Sequence, residues 1–318
     1  MMIDPRREAI FTVTRLKKGL TSFLSEQVAP WETRLKTRAI LQALRDKLAR
    51  AVHDNALLPP GETAMPSEIE NSSQWVNAAA ELVIAGKKLK VEMPVPAGPV
   101  RLGDMLSFFR YLTDSFVALA EDNARADGTV VSCKKGCGAC CRQLVPVAEV
   151  EARHLEELIE RLPEARRSEI RNRFERARER LQAAGLLDVL LEPGQIGEEA
   201  IVPLGLAYFG LGIACPFLED ESCSIHAERP LACREYLVVS PAEHCASPSA
   251  ESIKPVKLVV HTAKALRAMN AAWSSHGVRW LPLILSVKRA EAHADTTPLR
   301  PGVEWVREAF ARVTGRPV

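Results

Sequence analysis

All eight cysteines fall between residues 133 and 245, and the sequence on either side of that window carries none. Scattered core cysteines are not confined in this way, so the window must fold to bring thiols together. The first group, Cys133-Lys-Lys-Gly-Cys137-Gly-Ala-Cys140-Cys141, places four thiols in nine residues. As thiolates they repel one another unless a cation neutralises them, and a bound metal lowers their pKa so that all can ligate. Gly136 and Gly138 suit a tight loop whose backbone takes positive φ and turns N–H groups toward sulfur. Lys134, Lys135 and Arg142 either offset the charge of such a site or are ordinary surface cations. The second group is looser: Cys215-Pro-Phe-Leu, Cys223-Ser-Ile-His, Arg-Pro-Leu-Ala-Cys233-Arg-Glu-Tyr, and Cys245 after His244.

This pattern is specific for cysteine ligation and less so for the metal, because tetrahedral sulfur sites suit zinc and iron–sulfur alike. A zinc ribbon ordinarily shows two regular Cys-x2-Cys pairs, whereas only Cys137 and Cys140 have that gap here. The irregular second group favours an iron–sulfur cluster reached by several loops, with zinc as the alternative. Eight thiols serve two four-thiolate sites, or one site and a redox pair. Cys133-x3-Cys137-x2-Cys140 also matches the three-cysteine pattern of radical S-adenosylmethionine enzymes. Those enzymes usually carry an aromatic residue where this chain has Ala139, and they continue into alternating strands and helices.

Several neighbours bear on chemistry. His226 and His244 can replace a thiolate or stand behind the ligands. Arg229, Arg234 and Tyr236 surround Cys233 and are the candidate cofactor-contacting residues, the arginines binding cluster sulfur or an anion, or else pairing with Glu228 and Glu235. Pro230 suits the first position of a short helix carrying Cys233. Leu218-Glu-Asp-Glu-Ser-Cys223 reads as a hairpin whose polar turn presents Cys223. No Gly-rich phosphate loop, Ser/His/Asp arrangement or carboxylate pair stands out, so no catalytic residue is assigned. Nucleic-acid binding lacks its basic-aromatic stripe.

The glycine-flanked group ending in Cys140-Cys141, followed by Cys-Pro-Phe-Leu, Cys-Ser-Ile-His, Arg-Pro-x-x-Cys-Arg-x-Tyr and a last cysteine, resembles the YkgJ-like cysteine-cluster family over about residues 130–246. That family is described as a zinc- or iron-chelating domain. The resemblance implies metal binding at Cys133, Cys137, Cys140, Cys141, Cys215, Cys223, Cys233 and Cys245. Related domains occur in flagellin lysine methylases, where an iron–sulfur cluster is implied, while most members have no assigned reaction. The family pattern leaves two residues between its first two cysteines, where this chain has three between Cys133 and Cys137.

With 318 residues, 47% of them hydrophobic, the chain buries a core without needing metal for size. A formal net charge of +2 gives no field for steering nucleic acid or an anionic membrane. Charges at Asp4, Arg6, Arg7, Glu8, Arg15, Lys17 and Lys18 leave the first twenty residues no apolar h-region, so a reducing, cytoplasmic location is expected. The uncharged run Ala200–Leu218 just reaches the length of a membrane span. Its three glycines, two prolines and acidic flanks argue instead for a buried, broken segment beside the metal site.

The remaining periodicity is mostly helical. Val13, Leu16, Leu20 and Phe23 recur at helical spacing, as do Leu41, Leu44, Leu48 and Val52, and residues 58–74 read as a connector. Lys88–Met93 alternates as a strand that Pro94, Pro96 and Pro99 should end. Asp104 can cap a helix with the apolar face Met105, Phe109, Leu112, Phe116 and Leu119. Two helices flank Pro163, and a last one covers Val303–Val313. The expected fold is α+β and mainly helical, with helices enclosing a cysteine-rich metal-binding core that carries small β-hairpins. Its expected parts are a helical region at 1–125 with a short strand element, a cysteine-cluster domain at 126–250 and a helical region at 251–318. The substrate or redox partner is open, and no membrane span is expected.

Overall fold

The computed structural model describes residues 75–84, 87–134, 136–249 and 251–314. The two N-terminal helices and the connector at 58–74 lie outside them. Strands β1 (Trp75–Ile84) and β2 (Lys87–Pro96) form an antiparallel ribbon in which Trp75 faces Pro96 and Ile84 faces Lys87. The alternation at 88–93 marks β2, but the strand runs through Pro94 to Pro96. A two-stranded ribbon leaves each strand one unpaired edge, where a missing N–H costs little. Strand β1 has no sequence signal: its Ala78-Ala79-Ala80 centre lacks both alternation and β-branching, and pairing with β2 supplies what propensity does not.

After the short strand β3 (Pro99–Val100), a 3-10 turn over Leu102–Met105 leads into α1 (Leu106–Ala126). Asp104 therefore lies inside the turn, not at the helix cap; its Oδ2 accepts the Arg101 N–H at 2.8 Å. The expected apolar face is buried, with Phe109 and Leu112 fully so. A second 3-10 turn covers Ala139–Arg142, and β4 (Pro146–Val147) follows. Then α2 (Glu149–Glu160) and α3 (Glu164–Ala183) form the hairpin expected around Pro163, burying Leu155, Ile159, Ile170, Phe174, Ala177 and Leu181.

The uncharged run does not fold as a wholly buried segment. Past the short α4 (Leu187–Leu191) it forms α5 (Glu198–Gly210), leaves the helix at Gly212 (φ +61°) and continues to Cys215. Tyr208, Ile213 and Phe217 turn inward, while Ile201, Val202 and Leu206 are 45–50% exposed. Among the described residues no helix is long and apolar enough to cross a membrane.

Strands β5 (Leu218–Glu219) and β6 (Ser222–Cys223) form a hairpin, and α6 (Leu231–Glu235) follows. The chain ends its described course with α7 (Thr262–Trp273), β7 (Leu281–Pro282), α8 (Leu283–Ala292), β8 (Arg300–Pro301) and α9 (Gly302–Thr314). Sheets among the described residues are two-stranded and antiparallel: β1–β2, β3–β8, β4–β7 and β5–β6. The protein is thus mainly helical α+β. The alternating strands and helices of a radical S-adenosylmethionine enzyme do not follow the first cysteines, where α2 and α3 stand in succession.

Three apolar clusters build the frame. In the largest, Phe108, Phe109, Leu112, Leu266, Met269, Trp305 and Phe310 join α1, α7 and α9 under β2. Each such side chain contributes roughly 1.5–3 kcal/mol when fully buried. The second packs Leu155 and Ile159 of α2 on Leu283 and Val287 of α8, and the third gathers Leu181, Leu190, Tyr208 and Ile284. The β4–β7 pair fixes the chain just after the first cysteine group to the start of α8, where Leu283 N–H donates to Val145 O at 2.8 Å. The last two clusters thereby become walls for the cysteines.

Candidate metal centre

The first cysteine loop is shaped by its two glycines. Gly136 takes φ +87°, a conformation costly for any other residue, and Cys137 N–H closes on Lys134 O at 3.1 Å. Gly138 is required by space: a Cβ there would stand 2.6 Å from both Glu221 O and Leu218 Cδ1. The 3-10 turn Ala139–Arg142 then presents Cys140 and Cys141 side by side. Upstream the loop is tied to a distant strand-like segment, since Ser132 N–H donates to Val238 O at 2.9 Å and Val238 N–H to Cys133 Sγ at 3.4 Å.

The second group arrives from four other stretches of chain. Cys215 N–H donates to Cys141 O at 2.7 Å, so the two groups are joined through backbone. Cys223 ends the β5–β6 hairpin expected from its sequence. The two-residue turn places Asp220 (φ 47°) and Glu221 (φ 55°) in the left-handed region, as a hairpin of matched twist demands. Backbone N–H groups of Phe217 and Ile225 are directed at the sulfurs of Cys215 and Cys223, two residues before each.

Cys233 rides on α6, whose start is fixed by a buried carboxylate. Glu151 Oε1 accepts Leu231 N–H and Oε2 accepts Ala148 N–H, each at 2.8 Å, so one side chain caps α6 and α2 together. Pro230 occupies the N-cap, one position before the N1 site expected from sequence. Cys245 sits in a 3-10 turn over Ala242–Ala246 that packs against the turn carrying Cys140 and Cys141.

Together these elements put all eight cysteines on the wall of one cavity of ≈ 270 Å³. All eight are free thiols; Cys245 is buried and the others are half-buried. Tyr208, Phe217, Val145, Leu283 and Ile284 complete an apolar lining. Among the described residues, no three or more His, Cys, Asp or Glu side chains stand as a group that could hold a metal ion. The thiols surround a space and do not converge on one point. Cys245 senses Cys133, Cys140 and Cys137, whereas Cys233 senses Cys215, Cys140 and Cys223. Cys140 therefore stands between two trios of thiols.

Electrostatics of the cavity disfavour ionisation without a cation. Burial pushes Cys215 up to about 12. Cys140 is raised well above the ordinary thiol value, first by its contact with the Cys141 thiol and then by burial. Burial is the first cause for Cys133, Cys223, Cys233 and Cys245 as well. Arg229 opposes this trend at Cys133, Cys140 and Cys223, and its buried Nε has no hydrogen-bond partner among the described residues. Eight soft donors, six of them with ionisation disfavoured by burial, sulfur-directed N–H groups and one guanidinium fit a thiolate-bound metal centre.

The neighbours separate sharply. Arg229 and Tyr236 line the cavity, but Arg234 does not. Its guanidinium grips Asp114 at 2.8 and 2.9 Å and also bonds Arg229 O and Ala227 O, which makes it a brace for α6. Neither Arg234 nor Arg229 pairs with Glu228 or Glu235; Arg229 bonds the His226 ring, while Glu228 takes Arg110 and His154. His226 lines the cavity, whereas His244 does not and bonds Ser252 O at 3.0 Å. Of the basic residues in the first group, Lys134 lines the cavity and Arg142 is bound to Glu221. Lys135 lies outside the described residues. Sequence reasoning missed Glu151 and Tyr208, whose signals are a lone acid on an amphipathic helix and a tyrosine in an apolar run.

Residues 132–254 match the CxxCxxCC family, whose description is "Putative zinc- or iron-chelating domain". The segment spans less than half of the chain and contains all eight cysteines. The matched segment is the one whose motifs resemble the YkgJ-like family, and the match supports metal binding by it. No curated protein and no solved structure matches the chain.

Proposed function

We propose that this chelating domain holds iron–sulfur in the eight-cysteine cavity and that the protein serves redox transfer or a modification reaction at that centre. The carrying observation is the cavity itself: eight thiols face ≈ 270 Å³ of common space instead of a single point. A lone zinc ion gathers four sulfurs at about 2.3 Å and leaves no room inside its shell. An inorganic iron–sulfide core occupies volume and is reached by thiols on opposite walls.

Cys133, Cys137, Cys140, Cys141, Cys215, Cys223, Cys233 and Cys245 are the ligand set, read as one centre or two adjoining ones. When bound, the group supplies one-electron transfer at a potential set by its surroundings. The chain's own residues set those surroundings. Val238, Phe217 and Ile225 donate N–H to sulfur, Arg229 adds positive charge, and Tyr208, Phe217 and Leu283 exclude water. Removing water strengthens each of these interactions. Helices from the 1–125 and 251–318 regions then frame this core as the structural half of the proposal.

Metal analysis of anaerobically purified protein tests the reading. Iron with an equivalent of acid-labile sulfide is expected, together with broad visible charge-transfer absorption. Stoichiometric zinc without sulfide would replace it with a structural or partner-recognition role.

A further inference from the structure

A second cavity, of ≈ 290 Å³, lies against the first. Cys140, Cys233, Gln143, Val145 and Tyr236 line both, so two candidate ligands form the partition between them. The outer cavity is otherwise walled by apolar Leu144, Pro146, Ala232 and Ala263, with Glu235, His261 and Arg267 as its charged or titratable members.

Arg267 is the unusual member. It is mostly buried on α7, which lowers its pKa, yet its guanidinium makes no hydrogen bond or ion pair among the described residues. The two carboxylates that it senses, Glu151 and Glu235, are already committed. Glu151 caps α2 and α6 as described above. Glu235 Oε1 accepts from Thr262 Oγ1 at 2.7 Å and from Ala263 N–H at 2.8 Å, capping α7, while Oε2 meets His261 Nδ1 at 3.3 Å. The five guanidinium donors of Arg267 are thus uncommitted, on a side chain that lines a small, largely apolar space.

We propose that this outer cavity is the substrate pocket of the metal centre and takes a small organic acid, its carboxylate held by Arg267 and its apolar body lying against Cys140 and Cys233. The proposal rests on the thiol cavity being the metal centre. A planar fork of donors matches a carboxylate in two parallel hydrogen bonds. The apolar walls select for a hydrocarbon body, and the shared partition sets that body beside the centre. Tyr236 and Gln143, which bond each other, form the rest of the partition.

The test uses the metal-loaded full chain with phenylacetate and its neutral analogue phenylacetamide as probes. Ligand-observed NMR should show phenylacetate binding at least tenfold more tightly than the amide. Arg267→Gln should abolish that preference, and Arg267→Lys should restore only part of it. Bound phenylacetate should also shift the visible spectrum of the loaded protein. Equal binding of acid and amide to the unaltered protein would overturn the proposal without reliance on any variant. So would displacement of phenylacetate by inorganic phosphate at equal concentration. A carboxylate preference in protein found to hold zinc alone would sink the iron–sulfur reading and leave the pocket standing.

Discussion

Arg142 holds both carboxylate oxygens of Glu221, at 3.0 and 2.6 Å, across the junction between the first cysteine loop and the hairpin that ends in Cys223. The same Glu221 has a positive φ, and its carbonyl oxygen is the backbone atom, beside Leu218 Cδ1, that leaves no space for a Cβ on Gly138. Two kinds of interaction therefore lock the junction. The ion pair is exposed, at 32% and 60% for its two side chains, and solvent screening leaves such pairs little weight. Backbone contact at Gly138 admits no rotamer change that would relieve it.

From that ranking, Gly138→Ala should be the damaging substitution and Arg142→Gln the mild one. Forcing the loop off the hairpin costs about 1–3 kcal/mol, the range for overpacked sites. It should also lower metal content by separating Cys137 and Cys140 from Cys223. Arg142→Gln should leave the denaturant midpoint nearly unchanged and keep the metal. Denaturant midpoints and metal analysis of both variants check this, and a reversed order would make the ion pair the true lock.

Glu151 predicts a pH dependence. Burial raises its pKa in the folded protein, against the opposing hydrogen bonds from Ala148 and Leu231 N–H. A raised folded-state value means that the native state binds the proton more tightly than the unfolded chain. Its contribution is complete below the unfolded carboxylate value and declines as pH rises through the folded one, then stays level. The stability of the unaltered protein minus that of Glu151→Gln should therefore fall between about pH 4 and the folded pKa. Denaturant titrations of both proteins across pH 4–8 measure it. A difference that grows with pH would mean that the two backbone donors outweigh burial.

How much of this was legible follows from where the signals live. Local periodicity gave α1, the α2–α3 hairpin and α9, because each buries one stripe. Turn chemistry gave the Leu218–Cys223 hairpin even though Glu221 is an unusual left-handed residue. Strand β1 was invisible because Ala78–Ala80 become strand through β2, not through their own preference. The cysteine window revealed which residues gather, since unlike local structure it needs no geometry. Arg234 adjoins Cys233 in sequence yet lies off the cavity wall, since adjacency says nothing of side-chain direction on a helix, and its partner Asp114 is 120 residues away. The committed carboxylates around Arg267 are likewise a product of tertiary capping.

Removing the metal should loosen the protein unevenly. The loops bearing Cys133–Cys141 and Cys215–Cys245 have few buried apolar side chains of their own, whereas Phe109, Leu112, Leu266 and Trp305 hold α1, α7 and α9 together by packing. Metal binding that organises a site is folding energy for that site. Hydrogen exchange with and without chelator should show protection lost across the cysteine loops and kept in those three helices. Equal protection in both states would mean that the cavity is held open by its frame alone.

The ligand set yields the sharpest test. Single Cys→Ser changes at Cys137, Cys140, Cys141, Cys215, Cys223 and Cys233 should each remove most of the bound metal, since a hydroxyl is a poor soft-metal ligand. Cys133 belongs with them despite the wider first gap, because its sulfur lines the cavity and accepts the Val238 N–H. The sequence leaves open whether His244 could relieve Cys245, being adjacent and able to ligate. In the fold its imidazole is held by Ser252 O and lies off the cavity wall, while Cys245 faces Cys133, Cys137 and Cys140. Cys245→Ser should therefore lose metal as fully as the others, and His244→Ala should retain it. Metal content and visible absorption of the nine variants, prepared anaerobically, decide the matter. Cys245→Ser with full metal, lost only when His244 is also replaced, would restore the histidine as a ligand and redraw that wall of the centre.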